Sequence, residues 1–427
     1  MEKKGKIKMS SIHNIGFKKL TPVDDAWDYI YKHSKYMETE IIKTIESIGR
    51  ITAEKIISNI NVPHFVRSAM DGYAIKAEDS FNASQHKPNV LKVIDEIGIS
   101  KVSNMILKNG EAIKLATGSP IPQGADAVIK IEETKKIDDN IEIYFSVPRG
   151  KNVQREGEDV KSGDLILKQM HLIRPQDIGM LLACGEFKVK VYKKPTVAII
   201  STGNELIEHE KKLDIGQIYE TNSYMLMNHT TLYGGIPIRI GKAIDDVKVL
   251  NEMLFEALKY DIIVFTGGTS VGELDLLPKI MEMNGEILVH GISMRPGSPT
   301  AISVVNNKLI FCLPGFPVAS IIAFETFVGP YIRYVQRYKL IEPRPKIKIR
   351  LGKAVPSVLG RRDFVRIRIE ETETGFVAIP TRASGSGIIS STVNADGILI
   401  IPEEREGFEK DELVNILLYM PYNKSYW

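Results

Sequence analysis

A glycine-rich loop, VFTGGTSVGELD from Val264 to Asp275, has residue types and spacing that suit phosphate chemistry. An apolar strand precedes Gly267-Gly268, and paired glycines let backbone amides approach an anion closely. The loop then ends in the acids Glu273 and Asp275, which would repel the same anion. A divalent cation between the acids and a phosphate would remove that conflict.

Two further acids follow apolar strands. Glu205 lies in STGNEL after TVAII, and Asp245 lies just beyond the strand that contains Ile240. Ligands of open α/β sheets bind outside the carboxyl ends of the strands, so Glu205, Asp245 and Asp275 could converge on one rim. Oxygen ligands of this kind suit Mg²⁺. Each acid alone is explained as readily by a helix dipole, but three acids at three strand ends favour a functional site.

Other loops leave more than one interpretation open. No GK[ST] follows the glycine pair, so the loop is not a Walker A motif, and it is not GxGxxG either. LPGFP follows the strand KLIFC and would reach the same rim. From their residues alone, SAMDGYA and TGSPIPQGADAV could be functional, or they could simply form a tight turn and a hairpin.

Composition excludes several classes of protein. The chain has 427 residues, enough for about three domains, with 43% hydrophobic and 26% charged residues. A net charge of +3 gives no reason to expect nucleic-acid binding, and no apolar run approaches the ~20 residues of a membrane span. The basic start lacks the apolar segment of a signal peptide. Cys184 and Cys312 lack metal-ligand spacing, so we expect a reduced, cytoplasmic protein.

The N-terminal half combines helical patterns with short strands. Thr21 suits the N-cap of an amphipathic helix that continues to about Lys35. Isoleucines at helical intervals predict a second helical segment over 40–59, broken near Gly49. Short apolar runs separated by turn residues predict a β-rich region over 61–148. A further helix is predicted at Pro175–Ala183.

From Pro195 onward, strands and helices alternate up to a long helix predicted at 317–338. The strands are almost continuously apolar, which predicts a parallel sheet covered on both faces. Asn306-Asn307 suits a hairpin turn. After a proline-containing linker at 342–345, alternating strands predict a small all-β domain.

Taken together, the motifs resemble those of the molybdopterin molybdenumtransferase family, of the MoeA and gephyrin E-domain type. The match covers nearly the whole chain, in family order: SAMDGYA, TGSPIPQGADAV, REGEDVKSGD, ISTGNEL, QIYETN, GGTSVGELD, MRPGSPTA and LPGFPVAS. The fold that the resemblance implies is multidomain α/β. Its parts would be a helical and β linker domain, an inserted β-rich domain, a central parallel-type α/β/α molybdopterin-binding domain and a C-terminal β-barrel, at 17–60 with 149–192, 61–148, 193–340 and 344–422.

The resemblance also implies a reaction. Such an enzyme inserts molybdate or tungstate into adenylylated molybdopterin and releases AMP with Mg²⁺. Its upstream partner would be a molybdopterin adenylyltransferase, and it would act as a homodimer whose subunits share the active site. Neither nucleic acid nor membrane is an expected partner.

Family roles fall on matching positions of this sequence. The catalytic set implied by the resemblance is Asp275, Glu205, Asp245, Asp71 and Asp159, of which the first three would also bind the metal. Asp71, Asp159 and Thr117 would come from the partner subunit. The positions implied for binding substrate are Gly267, Gly268, Ser270, Thr117, Arg295, Ser298, Pro299, Arg366 and Ser391.

One departure from the family pattern concerns charge. Family members commonly have two lysines in a motif like MKPGKP, whereas this chain has Arg295 and Ser298 at those positions. Loss of the second cation could weaken oxyanion binding or favour tungstate. It also keeps a second interpretation open, a non-catalytic paralogue that binds the cofactor or scaffolds a partner. A third interpretation is an adenylyltransferase, but the SAMDGYA region and the predicted β-barrel argue against it.

Overall fold

The computed structural model describes most of the chain, namely residues 20–98, 103–268, 276–373, 375–382 and 385–420. Ser270 and Asp275, both expected in the site, lie outside these ranges. The described chain forms two compact units. Unit 1 comprises the residues up to Glu38 and from Tyr192 onward, and unit 2 is Thr39–Val191. The finer division into four domains remains a prediction.

Helix α1 (Val23–His33) opens the described chain and belongs to unit 1. It buries Val23, Ala26 and Ile30 in the same core as the central sheet of that unit. The expected N-cap at Thr21 is wrong, because Pro22 holds that position and no side chain caps the helix. Thr21 instead forms a bridge with Ile292, and its N–H donates to the carbonyl of Gly291 at 3.0 Å.

Unit 2 consists mainly of short strands. Their bounds, with those of its helix, are β1 (Thr39–Lys43), β2 (Ile56–Ile57), β3 (Arg67–Ser68), β4 (Gly72–Ile75), β5 (Asn89–Ile97), β6 (Glu111–Leu115), β7 (Ala127–Lys130), β8 (Thr134–Ile137), β9 (Asn140–Ile143), β10 (Val153–Gln154), β11 (Leu165–Leu167), α2 (Pro175–Ala183) and β12 (Lys188–Tyr192).

The helix expected over 40–59 is wrong. That segment forms β1, a 3₁₀ turn at Thr44–Glu46 and β2. Strand β1 pairs with β12, and the N–H of Thr44 donates to the carbonyl of Phe187 at 3.0 Å. The isoleucines that suggested a helical face, Ile41, Ile45 and Ile48, are exposed. Pairing with a distant strand therefore overrides the local periodicity.

The SAMDGYA motif enters the main sheet of unit 2, whose strand order is β7-β4-β6-β5-β9-β8. Strand β4 is buried along its whole length. A Cβ atom on Gly72 would lie 1.9 Å from the carbonyl oxygen of Ile129. The neighbouring strand therefore excludes any side chain at position 72, which explains the glycine of the motif.

The α/β part of unit 1 follows the predicted alternation of strands and helices. Its elements are β13 (Thr196–Thr202), β14 (Leu206–Ile207), β15 (Ile218–Tyr219), α3 (Asn222–Leu232), β16 (Ile236–Ala243), α4 (Val247–Ala257), β17 (Ile262–Thr266), α5 (Leu276–Asn284), β18 (Glu286–His290), β19 (Met294–Arg295), β20 (Ala301–Val305), β21 (Lys308–Leu313), α6 (Pro317–Ala323) and α7 (Gly329–Val335). A π-helical turn, Phe324–Val328, joins α6 to α7. Across the described residues, no helix is long and apolar enough to cross a membrane.

The central sheet has the order β16-β13-β17-β21-β20-β18. Its first four strands are parallel, as expected, and β20 runs antiparallel to both of its neighbours. The predicted Asn306-Asn307 turn causes this reversal, with φ angles of 50° and 60°. Both faces are covered, as Val264 packs in one core and Phe265 in the other.

The C-terminal part of unit 1 is a closed β-barrel. Its elements are β22 (Lys346–Leu351), β23 (Val355–Pro356), β24 (Arg362–Thr372), β25 (Gly375–Arg382), α8 (Ser390–Val393), β26 (Gly397–Ile401), β27 (Gly407–Phe408) and β28 (Leu413–Leu418). The order β24-β25-β22-β28-β26 closes because β26 pairs with β24. Strand β19 adds to β24 outside the barrel and places Arg295 opposite Asp363.

Candidate functional site

The carboxyl edge of the central sheet brings three loops together. In the parallel register, Thr202 of β13 pairs with Ala243 of β16, and Ser201 pairs with Thr266 of β17. The three strands therefore end at the same level, and the loops that follow them leave from the same edge. This is the position at which ligands of open α/β sheets bind.

Thr202 connects these loops. Its Oγ1 donates to Oδ1 of Asp245 at 2.6 Å. Its carbonyl oxygen lies 2.2 Å from the place that a Cβ atom on Gly267 would take, and Gly267 and Gly268 have φ angles of 107° and 57°. The positive φ angles favour glycine at both positions, and the carbonyl of Thr202 leaves no room for a side chain at position 267.

The two glycines differ in what they can offer a ligand. The N–H of Gly267 donates to the carbonyl of Leu313 at 3.1 Å, so it is occupied within the sheet. The close approach of the loop to β13 depends on Gly267. The N–H of Gly267 is therefore not available to a ligand at this edge.

Glu205 and Asp245 lie on this edge as expected from their strand ends. Both side chains are exposed. The N–H of Asp245 donates to Oδ1 of Asn204 at 3.1 Å, and the carboxylate of Glu205 lies over Gly203. No group of three or more His, Cys, Asp or Glu residues is arranged to hold a metal within the described residues, which do not include Asp275.

Asn222, the last residue of the motif QIYETN, is a site residue that the sequence did not single out. Its Nδ2 donates to Oγ1 of Thr266 at 3.0 Å and to the carbonyl of Gly315 at 2.7 Å. Its Oδ1 is buried and accepts no hydrogen bond from the described residues. The signals for Asn222 in the sequence were the motif QIYETN itself and its place at the start of a helical segment.

A cavity of about 380 Å³ lies next to this edge. Among the residues that line it are Met294, Pro314, Phe316 and four of the residues implied by the resemblance, Arg295, Ser298, Pro299 and Arg366. Pro314 and Phe316 belong to the LPGFP segment that follows β21. The structure thus brings the loop after β19, strand β24 of the barrel and LPGFP around one space.

Arg295 is held by a buried acid that the sequence did not indicate. Its Nη2 lies 2.5 Å from Oδ2 of Asp363, which is 1% exposed. Arg361 donates to the same carboxylate at 2.8 Å, and Ser357 does so at 3.0 Å. The carboxylate of Asp363 therefore compensates part of the positive charge of Arg295, since it is shared with Arg361.

Arg366, in contrast to Arg295, is buried without an acidic partner among the described residues. It is 2% exposed, and its Nε and Nη2 donate to no acceptor among the described residues. Burial, together with the charge of Arg295, lowers the pKa of the Arg366 guanidinium. Buried donors of this kind are normally paired, so the position suits an anion that enters the cavity.

Ser391 does not join this arrangement directly. It lines a separate cavity of about 440 Å³, and its Oγ donates to the carbonyl of Ile388 at 2.6 Å. Thr381 connects the two regions, since its Oγ1 donates to the carbonyls of Arg366 and Ser391 at 3.2 and 3.4 Å. Arg366 and Ser391 are therefore neighbours through the backbone but face different cavities.

In unit 2, the implied residues gather near a cavity of about 530 Å³. Thr117 and Glu158 line it, and Oδ1 of Asp71 accepts the N–H of Thr117 at 2.7 Å. Asp159 follows Glu158 and is exposed. Arg67 also lines the cavity, with Nε donating to Oε1 of Gln154 at 2.7 Å, and it was not anticipated from the sequence.

Comparison with known proteins gives a consistent result along the chain. Residues 21–185 match the MoeA N-terminal region (domain I and II), 198–334 match a probable molybdopterin binding domain, and 348–419 match the MoeA C-terminal region (domain IV). The chain belongs to the MoeA family.

Individual MoeA relatives are similar over almost their whole length. A Methanocaldococcus jannaschii protein named for molybdopterin biosynthesis is 39% identical, with 96% of this chain and 97% of that protein covered. The molybdopterin molybdenumtransferase of Bacillus subtilis is 34% identical, with 95% and 96% covered. The solved structure of the molybdopterin biosynthesis MoeA protein from Pyrococcus horikoshii OT3 has a TM-score of 0.78 at 36% identity, with 94% and 100% covered.

Proposed function

We propose that this chain is a molybdopterin molybdenumtransferase, which inserts molybdate or tungstate into adenylylated molybdopterin and releases AMP. The observation that carries the proposal is the convergence of Glu205, Asp245 and Gly268 on one sheet edge, beside a cavity lined by Arg366, whose Nε and Nη2 meet no acceptor among the described residues. The reaction needs a place for phosphates and a place for a tetrahedral oxyanion. The sheet edge and the cavity, which are joined through Pro314 after β21, are the candidates for these two places.

The sheet edge would hold the pyrophosphate of the substrate. Gly268 and the loop after it, including Ser270, would supply donors to the phosphate oxygens. Mg²⁺ fits this position because Glu205 and Asp245 offer exposed carboxylate oxygens, and Asp275 would be the third ligand. When bound, Mg²⁺ would neutralise the charge that develops on the phosphate oxygens as the bond to AMP breaks. Thr202 and Asn204 orient Asp245 for this role.

The cavity beside the edge would hold the oxyanion. Arg366 provides buried N–H donors that have no acceptor within the described part of the chain, while Arg295 is already bound to Asp363. Ser298 and Pro299 line the same wall, and Ser298 can offer a hydroxyl but no charge. Arg366 would therefore contribute most of the affinity for molybdate or tungstate, with Ser391 at most a weaker contributor from its own cavity.

The remaining implied residues lie in unit 2. Asp71, Thr117 and Asp159 would complete the cleft from the partner subunit of a cytoplasmic homodimer. Support comes from Thr117, which lines a cavity of unit 2 and whose N–H donates to Oδ1 of Asp71. A molybdopterin adenylyltransferase would deliver the adenylylated substrate.

AMP release from purified protein tests this proposal. The protein would be incubated with adenylylated molybdopterin and Mg²⁺, with molybdate, tungstate or neither. We expect oxyanion-dependent AMP release, and the oxyanion that gives the higher kcat/KM identifies the preferred metal. In Arg366→Gln, the oxyanion concentration for half-maximal release should rise about tenfold or more, because a charge-assisted pair is lost. The exposed Arg350→Gln is the matched control.

A second candidate function is a non-catalytic carrier of the cofactor. Ser298 favours it, because this position contributes no positive charge to the oxyanion cavity. A carrier would bind the adenylylated substrate tightly and release no AMP with either oxyanion. Consumption of ATP in place of AMP release would point instead to an adenylyltransferase.

A further inference from the structure

Phe316 is a large aromatic residue that is exposed where it lines the cavity of Arg366. It is 63% exposed, although Leu313 and Val318 on either side of it are fully buried. Its ring lines the cavity that also contains Arg366 and Ser298. An exposed ring adds little to the stability of the core, and its position on the wall of a cavity suits the binding of a ligand.

The backbone that carries Phe316 is held firmly on both sides. The carbonyl of Pro314 accepts from Oγ1 of Thr266 at 3.2 Å, and the carbonyl of Gly315 accepts from Nδ2 of Asn222 at 2.7 Å. After Phe316, the N–H of Val318 donates to the carbonyl of Ser386 at 3.1 Å. The ring is therefore mounted on a fixed turn, so little ordering is needed when it binds a ligand.

One edge of the ring rests against a residue without a side chain. A Cβ atom on Gly387 would lie 3.3 Å from Cδ1 and 3.4 Å from Cε1 of Phe316. Any other residue at position 387 would crowd the ring. The side chain nevertheless stays 63% exposed.

Phe316 also lies between the two halves of the proposed site. A Cβ atom on Gly315 would be 3.4 Å from Cα of Gly267, so the turn touches the glycine-rich loop directly. On its other side the ring faces the cavity of Arg366. A ligand whose phosphates lie at the loop and whose metal-binding end lies in the cavity has to pass close to this ring.

We infer that Phe316 is a specificity-determining residue whose ring stacks on a planar fused heterocycle of the substrate. The inference rests on the proposed function, in which the substrate contains two such heterocycles, the pterin and the adenine. Stacking on an aromatic side chain recognises a flat ring without hydrogen bonds. It would complement the charged contacts of the neighbouring cavity.

Binding of adenylylated molybdopterin without oxyanion tests the inference, since no turnover occurs. The Kd would be measured for wild type, Phe316→Leu, Phe316→Tyr and, as a matched control, Phe255→Leu on the exposed face of α4. We expect Phe316→Leu to weaken binding about five- to tenfold, because stacking is lost while apolar bulk is kept. Phe316→Tyr and Phe255→Leu should stay within about twofold of wild type.

Competition identifies the stacked ring. Free pterin should lose its ability to compete in Phe316→Leu if the pterin is stacked, whereas AMP should lose it if the adenine is stacked. An unchanged Kd in Phe316→Leu overturns the inference. AMP release by the wild type then separates the two proposals. If the wild type releases AMP but Phe316→Leu does not change the Kd, only the stacking proposal is contradicted. If Phe316→Leu weakens binding but the wild type releases no AMP, only the proposed transferase activity is contradicted. A wild type that does not bind the nucleotide contradicts both.

Discussion

Asp363 is a carboxylate on which three donors converge, although it was not a candidate from the sequence. Arg295, Arg361 and Ser357 all donate to it, and it is 1% exposed. Removing one member of a buried charged cluster leaves the other charges uncompensated. Asp363→Ala should therefore lower the free energy of unfolding by about 3–5 kcal/mol, as measured by urea denaturation. The exposed Asp28→Ala should change it by less than about 0.5 kcal/mol. Equal small losses in both variants would contradict the role assigned to Asp363.

Gly72 gives a second prediction for a single residue. The Cβ of an alanine would lie 1.9 Å from the carbonyl oxygen of Ile129, so β4 and β7 would have to separate. Gly72→Ala should lower the free energy of unfolding by about 3 kcal/mol. Gly98→Ala is the matched control, because a Cβ atom there meets nothing within 4 Å. A neutral effect of Gly72→Ala in thermal or urea unfolding would show that the sheet adjusts.

Some residues of the candidate site could be predicted from the sequence, whereas others depend on tertiary contacts. Glu205 and Asp245 could be placed on one edge from the sequence, because acids at the ends of adjacent parallel strands meet there. Thr202 and Asn222 could not be singled out from the sequence, since their hydrogen bonds are to residues on other loops and strands of the folded sheet. The pairing of Arg295 with Asp363 depends on the register of β19 on β24, which no local pattern encodes.

At the scale of elements, the π-helical turn between α6 and α7 carries a buried acid. Glu325 is 5% exposed and its Oε2 lies 2.7 Å from Nη1 of Arg344, while Nδ1 of His229 lies 3.8 Å from Oε1. Burial raises the pKa of Glu325 from 4.5 to about 7. Burial also lowers the pKa of His229 from 6.5 to about 4, and the charge of Arg344 acts in the same direction.

These shifts give opposite dependences of stability on pH. Between pH 4.5 and about 7 the folded state holds a proton on Glu325 that the unfolded state has lost, so stability falls as pH rises. Between about pH 4 and 6.5 the unfolded state holds a proton on His229 that the folded state lacks, so stability rises with pH. The two contributions largely cancel where the windows overlap.

Single substitutions should separate the two contributions. Relative to wild type, Glu325→Gln should gain stability as pH rises from 4.5 to 7, with a slope of at most about 1.4 kcal/mol per pH unit. Relative to wild type, His229→Gln should lose stability as pH rises from 4 to 6.5. Urea unfolding at several pH values measures both slopes. Curves parallel to wild type in both variants would show that neither group titrates as described.

Most elements could be predicted from the sequence where local and tertiary preferences agree. The strand Thr196–Thr202, helix Pro175–Ala183 and the Asn306-Asn307 turn all occur where periodicity and turn residues indicated. The segment 40–59 failed because its isoleucines have a helical spacing but β1 finds a partner strand far away in sequence. The direction of β20 in the sheet depends on the hairpin, and apolar strands alone do not reveal direction.

At the scale of the whole molecule, the proposed shared active site predicts complementation between subunits. Asp71→Asn in unit 2 and Asp245→Asn in unit 1 should each abolish oxyanion-dependent AMP release. If the cleft combines unit 1 of one subunit with unit 2 of its partner, mixed dimers contain one intact site. Random reassembly of the two variants should restore about a quarter of wild-type activity. Mixing that restores none, with dimer exchange verified by mass spectrometry, would place a complete site within one subunit.

The central claim, that the sheet edge at Asp245 performs the reaction, is tested most directly by two adjacent acids. Asp245 accepts from Thr202 on the edge, whereas Oδ1 of Asp246 accepts the N–H groups of Lys248 and Val249 and caps α4. Asparagine also caps helices well, so Asp245→Asn and Asp246→Asn remove the same charge and leave the fold intact. The measurement is Mg²⁺-dependent AMP release with molybdate or tungstate. We predict loss of about 10²-fold or more in Asp245→Asn and near wild-type release in Asp246→Asn. Equal activity in the two variants would contradict the claim.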